Sequence, residues 1–331
     1  MSNIDTAFIT EVFDPQGNKV MLGEKMASGG EGAVYPISGR NSTLVKIYHT
    51  DILKKRGLDL NRKIEVMVDM KDKFKGKLCW PSVRAFNAQN QWVGYAMRRA
   101  EGVTMFKMAH PMIYKNHFLN LDRVQVVNYL INFLDKVAML HSNDVMMGDY
   151  NLNNILCNPH SDQVDLIDCD SYQIHVGGQL FRNPVGSPDL TAPEQQGKDF
   201  GKIDRTVESE LFSVAIILFK CLMLGRHPYD AVGGDDPIQN IKKGHFPYGK
   251  GSQGIPRGPW YNIWSHMPHR LKSQFIQTFT EGAINPSKRP SLQDWNFALN
   301  LYREEIKKGW HETAMRPDKP KDKAYRGAQS V

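Results

Sequence analysis

Gly148-Asp149-Tyr150-Asn151-Leu152-Asn153-Asn154 and the stretch Leu166-Ile167-Asp168-Cys169-Asp170, whose Asp168 lies fourteen residues beyond Asn154, decide how this chain is read. Each follows an apolar run, and the first follows a long amphipathic pattern. Asn154 lies five residues after Asp149, and the gap to Asp168 has room for a short hairpin. Asp and Asn are ordinary turn residues, so either motif alone reads as a turn. Together they offer more. One carboxylate can orient a hydroxyl and accept its proton, and an amide oxygen with a second carboxylate can hold a hard divalent cation.

Other stretches fall in a consistent order around this pair. Ala27-Ser28-Gly29-Gly30-Glu31-Gly32-Ala33-Val34-Tyr35 lies between two strand-like runs. Its glycines let backbone approach a phosphate closely, although a plain hairpin turn needs the same residues. Thr43-Leu44-Val45-Lys46-Ile47-Tyr48 reads as a strand of β-branched and aromatic residues carrying one lysine. Glu65 follows Lys46 by nineteen residues, in the helical pattern Arg62-Lys63-Ile64-Glu65-Val66-Met67-Val68. The plain readings are a strand-edge charge for Lys46 and a solvated helix face for Glu65. Downstream come Gly186-Ser187-Pro188-Asp189-Leu190-Thr191-Ala192-Pro193-Glu194, then Ser209-Glu210-Leu211-Phe212-Ser213-Val214-Ala215. Gly225-Arg226-His227-Pro228-Tyr229 and Asn285-Pro286-Ser287-Lys288-Arg289-Pro290-Ser291 complete the series.

These motifs, over about residues 20 to 310, resemble the eukaryotic-like protein kinase family. The resemblance implies an α+β, bilobal protein-kinase-like fold: an antiparallel sheet with one main helix, then a mostly helical lobe. It implies an N-lobe over residues 1–99, a C-lobe over 100–310, and a basic mobile tail or linker over 311–331. It implies ATP and Mg2+ as cofactors, with Mn2+ as an alternative ion. The nucleotide would meet Ala27, Ser28, Gly29, Gly30, Gly32 and Val34 of the glycine-rich loop, in which Ala27 replaces the first glycine. Lys46 would contact phosphates and pair with Glu65, and Met97 would sit at the hinge. Asn154 and Asp168 would hold the metal. Asp149 would orient the acceptor hydroxyl, with Asn151 beside it and Ser187 bonded to it. Glu194 and Arg289 would form a largely buried ion pair.

Departures from the family pattern are equally specific. Met147-Gly148 stands where His-Arg is usual, so the cation that receives an activation-segment phosphate is missing. Asn151 stands in place of a lysine that steadies the γ-phosphate. Asp168-Cys169-Asp170 replaces Asp-Phe-Gly, and Asp170 reads either as a turn residue or as an extra metal ligand. The set is similar to a divergent bacterial branch found beside von Willebrand-type and phosphatase proteins in tellurite-resistance and stress gene clusters. That resemblance names a phosphatase or von Willebrand-type protein as a partner, besides a protein substrate that includes the chain itself.

Composition sets bounds. The 331 residues, 41% apolar and 23% charged, suit a two-lobed globular protein. A net charge of +7 without aromatic-basic interleaving reads as a solvated basic surface, so no nucleic acid is expected. Cys79, Cys157, Cys169 and Cys221 are widely spaced, which predicts reduced thiols in a cytoplasmic protein. The most apolar run, Leu211 to Leu224, is interrupted by Lys220 and is too short for a bilayer span, so no membrane is expected. The function implied is a Ser/Thr protein kinase. The alternatives are a pseudokinase scaffold, favoured by Asn151 and the altered metal motif, and a small-molecule phosphotransferase, disfavoured by the Ala192-Pro193-Glu194 segment and Arg289.

Overall fold

Short runs of β-branched and aromatic residues, separated by Gly- and Asn-rich turns, build one antiparallel sheet at the N-terminal end. A computed structural model describes residues 9–249, 254–256 and 258–321. The strands are β1 (Glu11–Phe13), β2 (Lys19–Met21), β3 (Ala27–Ser28), β4 (Gly32–Ile37) and β5 (Arg40–Tyr48), then helices α1 (Thr50–Asp69) and α2 (Lys71–Phe74), then β6 (Pro81–Phe86) and β7 (Trp92–Arg98). Their spatial order is β2-β1-β6-β7-β5-β4-β3.

β5 is an interior strand, and its second half, Leu44 to Tyr48, is buried. Lys46 stands opposite Val34 on β4 and Tyr95 on β7. The two flanking strands approach it through glycine. A Cβ on Gly94 would lie 1.9 Å from the Lys46 carbonyl oxygen, and one on Gly32 would lie 2.4 Å from that of Ile47. The turn between β6 and β7 closes with Asn90 at φ +57°, a conformation Asn tolerates.

α1 packs on β6 and β7 with Leu53, Leu60, Lys63, Ile64 and Met67 buried. The helical run breaks at Met70, which separates α1 from α2. Trp80 donates its indole N–H to the Met67 carbonyl at 2.7 Å, tying the end of α1 to the start of β6.

The chain forms two compact units. The first is residues 9–101 together with Asp165–Asp170; the second is Gly102–Val164 together with 171–321. The return of Asp165–Asp170 to the first unit was not legible in the sequence. Arg98 at the end of β7 explains part of it, because its guanidinium pairs with Asp165 (Nη1 to Oδ2, 3.0 Å).

The second unit begins with β8 (Val103–Thr104), α3 (Met105–Ala109), α4 (Arg123–His141), β9 (Val145–Met146) and β10 (Ile155–Cys157). β11 (Val164–Leu166) marks the passage back to the first unit; β12 (Gln173–Val176) and β13 (Gln179–Phe181) follow it. α5 (Val207–Leu222), α6 (Pro237–Lys243), α7 (Pro259–His266), α8 (His269–Phe279), α9 (Glu281–Ile284) and α10 (Leu292–Lys307) complete the unit. α5 is buried on nearly every side, as its continuous apolar run requires, and a Thr206–Ser209 capping box starts it. α4 packs against both α5 and α10. β10 pairs with β8, and β12 pairs with β13 and β9.

The segment expected to be a mobile tail is docked over 311–321. Arg123 at the start of α4 donates to the carbonyls of Ala314 and Met315, both at 3.1 Å, and Met315 is buried. Asn262 and Ser265 on α7 bind Pro317 and Lys321. Backbone groups hold this segment, so it needs no apolar periodicity. The rest of the expected tail, 322–331, and most of the Gly-rich stretch 250–257 lie outside the described residues. All four cysteines are buried, and none forms a disulfide among the described residues. No helix among the described residues is long and apolar enough to cross a membrane.

Candidate active site

In the first unit the chemistry centres on Lys46. Its side chain is buried and its ammonium meets both oxygens of Asp170, at 2.9 and 2.8 Å, with Asp168 Oδ1 at 3.4 Å. Burial alone would pull the Lys46 pKa down; the Asp170 and Asp168 carboxylates outweigh it and hold the pKa above the ordinary lysine value. Burial would likewise raise the Asp170 pKa, but Lys46 and the hydroxyls of Tyr48 and Tyr95 hold it below the usual carboxylate range. Tyr48 donates to Asp170 Oδ2 at 2.7 Å. Burial and the neighbouring Asp170 charge push the Tyr48 hydroxyl far up, so it remains a donor.

Two expectations need correction here. Glu65 is not the partner of Lys46; it is half exposed on α1 and pairs with Arg84 at 3.0 Å. Asp170, read as a turn residue or an extra metal ligand, does lie in a short 3-10 turn over Cys169–Ser171, but it is 2% exposed and serves as the lysine's counter-ion. The inward charged residue of α1 is Lys63, 5% exposed, whose pKa burial lowers to about 8 against the attraction of Asp170.

The glycine-rich stretch forms the β3–β4 hairpin, closed by Gly29 N–H donating to the Gly32 carbonyl at 2.9 Å. A Cβ at Gly29 or Gly30 would meet nothing within 4 Å, so the hairpin tip is uncrowded. Gly32 is required for another reason, the close approach to Ile47. Ala27 and Ser28 lie exposed on β3, and Val34 on β4 faces neighbours Ala27 and Lys46. Glu31 pairs with Arg56 of α1, and His49 Nε2 bonds the Gly29 carbonyl at 2.9 Å, so the hairpin is tied to the helix. Met97 is buried on β7 opposite Leu44.

Asp168 carries the other reactive feature of this unit. Its side chain is 48% exposed and its φ is +55°, a left-handed value uncommon outside glycine. Among the described residues no group of three or more His, Cys, Asp or Glu side chains forms a metal cage. A single open carboxylate suits magnesium, which keeps waters and substrate phosphates and takes only one or two protein carboxylates.

In the second unit the loop around Asp149 is fixed from below by Glu210 on α5. Glu210 accepts from the Gly148 N–H at 2.6 Å, the Tyr150 hydroxyl at 2.6 Å and His141 Nε2 at 2.8 Å. The sequence reading gave Glu210 no role and missed Tyr150 and His141 altogether. Ser187 donates its hydroxyl to Asp149 Oδ1 at 2.8 Å. Asn151 uses its side-chain oxygen to cap the 3-10 turn Leu152–Asn154, accepting from Asn153 N–H at 2.9 Å. Asn154 ends that turn, its N–H donating to the Asn151 carbonyl at 2.9 Å.

Gly148 has φ +73°, and a Cβ there would meet the Asn183 side-chain nitrogen at 2.4 Å. Asn183, 1% exposed, donates to the Met147 carbonyl at 3.2 Å and accepts from Val185 N–H at 2.9 Å. A neutral amide therefore joins the segment before Ser187 to the catalytic loop. Arg205 is a cation that sequence reasoning missed near Asp149; it is occupied by the Gln195 side chain at 2.6 Å and by the Phe200 ring. Farther along, Arg289 donates to both Glu194 oxygens at 2.7 Å and to the carbonyls of Gly282 and Glu208.

Comparisons with known proteins agree with this arrangement. Residues 24–297 match the family model described as protein kinase domain. The chain is 29% identical over 310 residues to protein kinase YegI of Escherichia coli O157:H7, covering 90% of this chain and 47% of that protein. It is 25% identical over 314 residues to calcium-dependent protein kinase 7 of Oryza sativa, covering 86% of this chain and 53% of that protein. The chain thus spans about half the length of the curated relatives it matches. With the motifs in order and most of its length inside the family model, the chain belongs to the protein kinase domain family.

Proposed function

We propose that this chain is an ATP- and magnesium-dependent kinase that transfers the γ-phosphate to Ser or Thr hydroxyls of a protein substrate. The observation that carries the reading is the 2.8 Å bond from Ser187 to Asp149. It orients the carboxylate that would accept a proton from an incoming hydroxyl. The loop beneath is rigid because Glu210 binds it through both backbone and side chain. In the other unit, Lys46 supplies a fixed positive charge for the phosphate tail, and the exposed backbone at Gly30 would supply a donor. Asp168 and Asn154 are the oxygen donors that would hold magnesium, which when bound neutralises charge on the phosphates. Catalysis would come from positioning rather than from a covalent intermediate.

Incubation of the pure chain with γ-labelled ATP and magnesium, with and without a generic protein acceptor, tests the reading. Label on Ser or Thr, abolished by Asp149→Ala with ATP affinity kept within a few-fold, is the expected result. Equal labelling by the variant overturns the role of Asp149. Binding of ATP without any transfer supports the scaffold reading, which the capped Asn151 favours.

A further inference from the structure

Kinases of this fold ordinarily hold the phosphate-binding lysine with a glutamate from the helix that follows it. Here that helix is α1, and its carboxylate is turned away: Glu65 is half exposed and bound to Arg84. The residue α1 sends inward is a lysine, Lys63. The residue two places after Asp168, where a glycine is usual, is the buried Asp170. We infer that the usual arrangement is charge-reversed here: Asp170 is the positioning residue for Lys46, and α1 presents a buried cation, Lys63, where the family presents a carboxylate. This inference rests on the reading of Lys46 as the phosphate-binding lysine.

The geometry supports it in three ways. Asp170 touches the Lys46 ammonium with both oxygens, closer than Asp168 does. The contact is dry, and two tyrosine hydroxyls from β5 and β7 complete the hydrogen bonding of the carboxylate. The charges facing Lys63 are Asp170 and Glu31 on one side of the balance, Arg56 and Lys46 on the other. Burial, with Arg56 and Lys46, pulls the Lys63 pKa down against the attraction of Asp170 and Glu31. A glutamate at position 63 without a change at 170 would face Asp170 across a buried site.

The exchange has a regulatory consequence. When the counter-ion sits on the helix, moving the helix disarms the lysine. Here the counter-ion sits two residues after Asp168, so the counter-ion of Lys46 and the carboxylate read as a metal ligand lie on one short segment. Displacement of α1 would leave Lys46 paired, whereas rotation of the segment Asp168–Asp170 would move both carboxylates together.

The test measures magnesium-dependent ATP affinity by calorimetry, with kcat and KM where transfer is seen, for five variants of the full chain. Lys46→Met tests the underlying reading: a loss of tenfold or more is expected, and unchanged affinity sinks both that reading and this inference. With Lys46→Met impaired, Asp170→Asn should lose at least tenfold in affinity or in kcat/KM, and Glu65→Ala should stay within twofold. Asp170→Gly should be as weak as Asp170→Asn, and adding Lys63→Glu to it should restore at least tenfold by re-creating a helix carboxylate. A Glu65→Ala loss equal to that of Asp170→Asn overturns the inference while leaving the Lys46 reading intact. So does an Asp170→Asn protein that unfolds like the parent and binds within twofold. If Asp170→Asn fails to fold, the double variant decides: a folded double variant without recovered affinity refutes the exchange.

Discussion

Replacing Gly148 with arginine, the residue usual for the family at this position, should damage the protein rather than restore a phosphate switch. A side chain at φ +73° costs about 1–2 kcal/mol in a left-handed conformation. Its Cβ would also overlap the Asn183 nitrogen at 2.4 Å, and Asn183 is held by the Met147 carbonyl and Val185 N–H. Pushing Asn183 out leaves those buried partners unsatisfied, at about 1–3 kcal/mol more. The sum, about 2–5 kcal/mol, corresponds to a fall in Tm on the order of 10 °C for a unit of this size. Thermal unfolding followed by circular dichroism at one scan rate measures it. Gly148→Ala combined with Asn183→Ala separates the contributions: the overlap disappears and the backbone cost stays, so the double variant should be less destabilised than the sum of the singles. A Gly148→Arg protein within a degree or two of the parent would show that Asn183 does not fill this space, and the account of the neutral clamp would be wrong.

Three other outcomes are expected. Phosphatase-treated protein should keep most of its initial rate without a lag, because Asn183 joins the segment to the loop with no phosphate; a lag removed by pre-incubation with ATP and tracking phosphate at Ser171, Tyr172 or Thr191 would contradict this. Glu194→Ala should cost about 2–4 kcal/mol in urea unfolding, because the Arg289 side chain is wholly buried and would lose its counter-charge; a change under half a kcal/mol would mean the pair is not formed. His227 is kept neutral, its pKa lowered by burial to about 3, with Nε2 donating to the Asp189 carbonyl at 2.8 Å and Nδ1 accepting from Tyr229 N–H at 3.1 Å. Its contribution is complete above the unfolded-state value of about 6.5 and is lost as pH falls toward 3, so the stability difference between parent and His227→Gln should shrink by about 1.4 kcal/mol per pH unit below 6. A pH-independent difference between the two proteins refutes it.

The spacing of Asp149, Asn154 and Asp168, with the Ala192-Pro193-Glu194 and Arg289 segments, made the fold class readable in advance. Those residues sit in short local motifs whose order survives divergence. What escaped were contacts made across sequence by side chains of unusual identity. Glu65 was assigned inward on distance from Lys46 alone, yet the buried stripe Leu60, Ile64 and Met67 places Lys63 on the core side of α1 and Glu65 off it. A helical wheel would have found this. Asp170 was read by composition as a turn residue, because nothing local announces that a carboxylate will meet two tyrosines from separate strands. The Glu210 hub has the same origin: Tyr150 and His141 lie 60 and 69 residues from it, and no periodic pattern links them. The docked segment 311–321 was missed because carbonyl oxygens, which every residue has, hold it to Arg123.

The glycines on either side of β5 bear on how this protein can change under selection. Neither Gly32 nor Gly94 needs to touch a nucleotide, yet a Cβ at either position would press on the backbone that carries Lys46 and Ile47. Mutational escape from a compound lodged against Lys46 is therefore closed along both neighbouring strands, since the substitutions that could crowd the compound would first displace the strand. The routes left open run through the hairpin tip at Gly29 and Gly30, where side chains meet empty space. Resistance, and by the same logic natural drift in nucleotide preference, should accumulate at that tip while the slot holding β5 stays fixed.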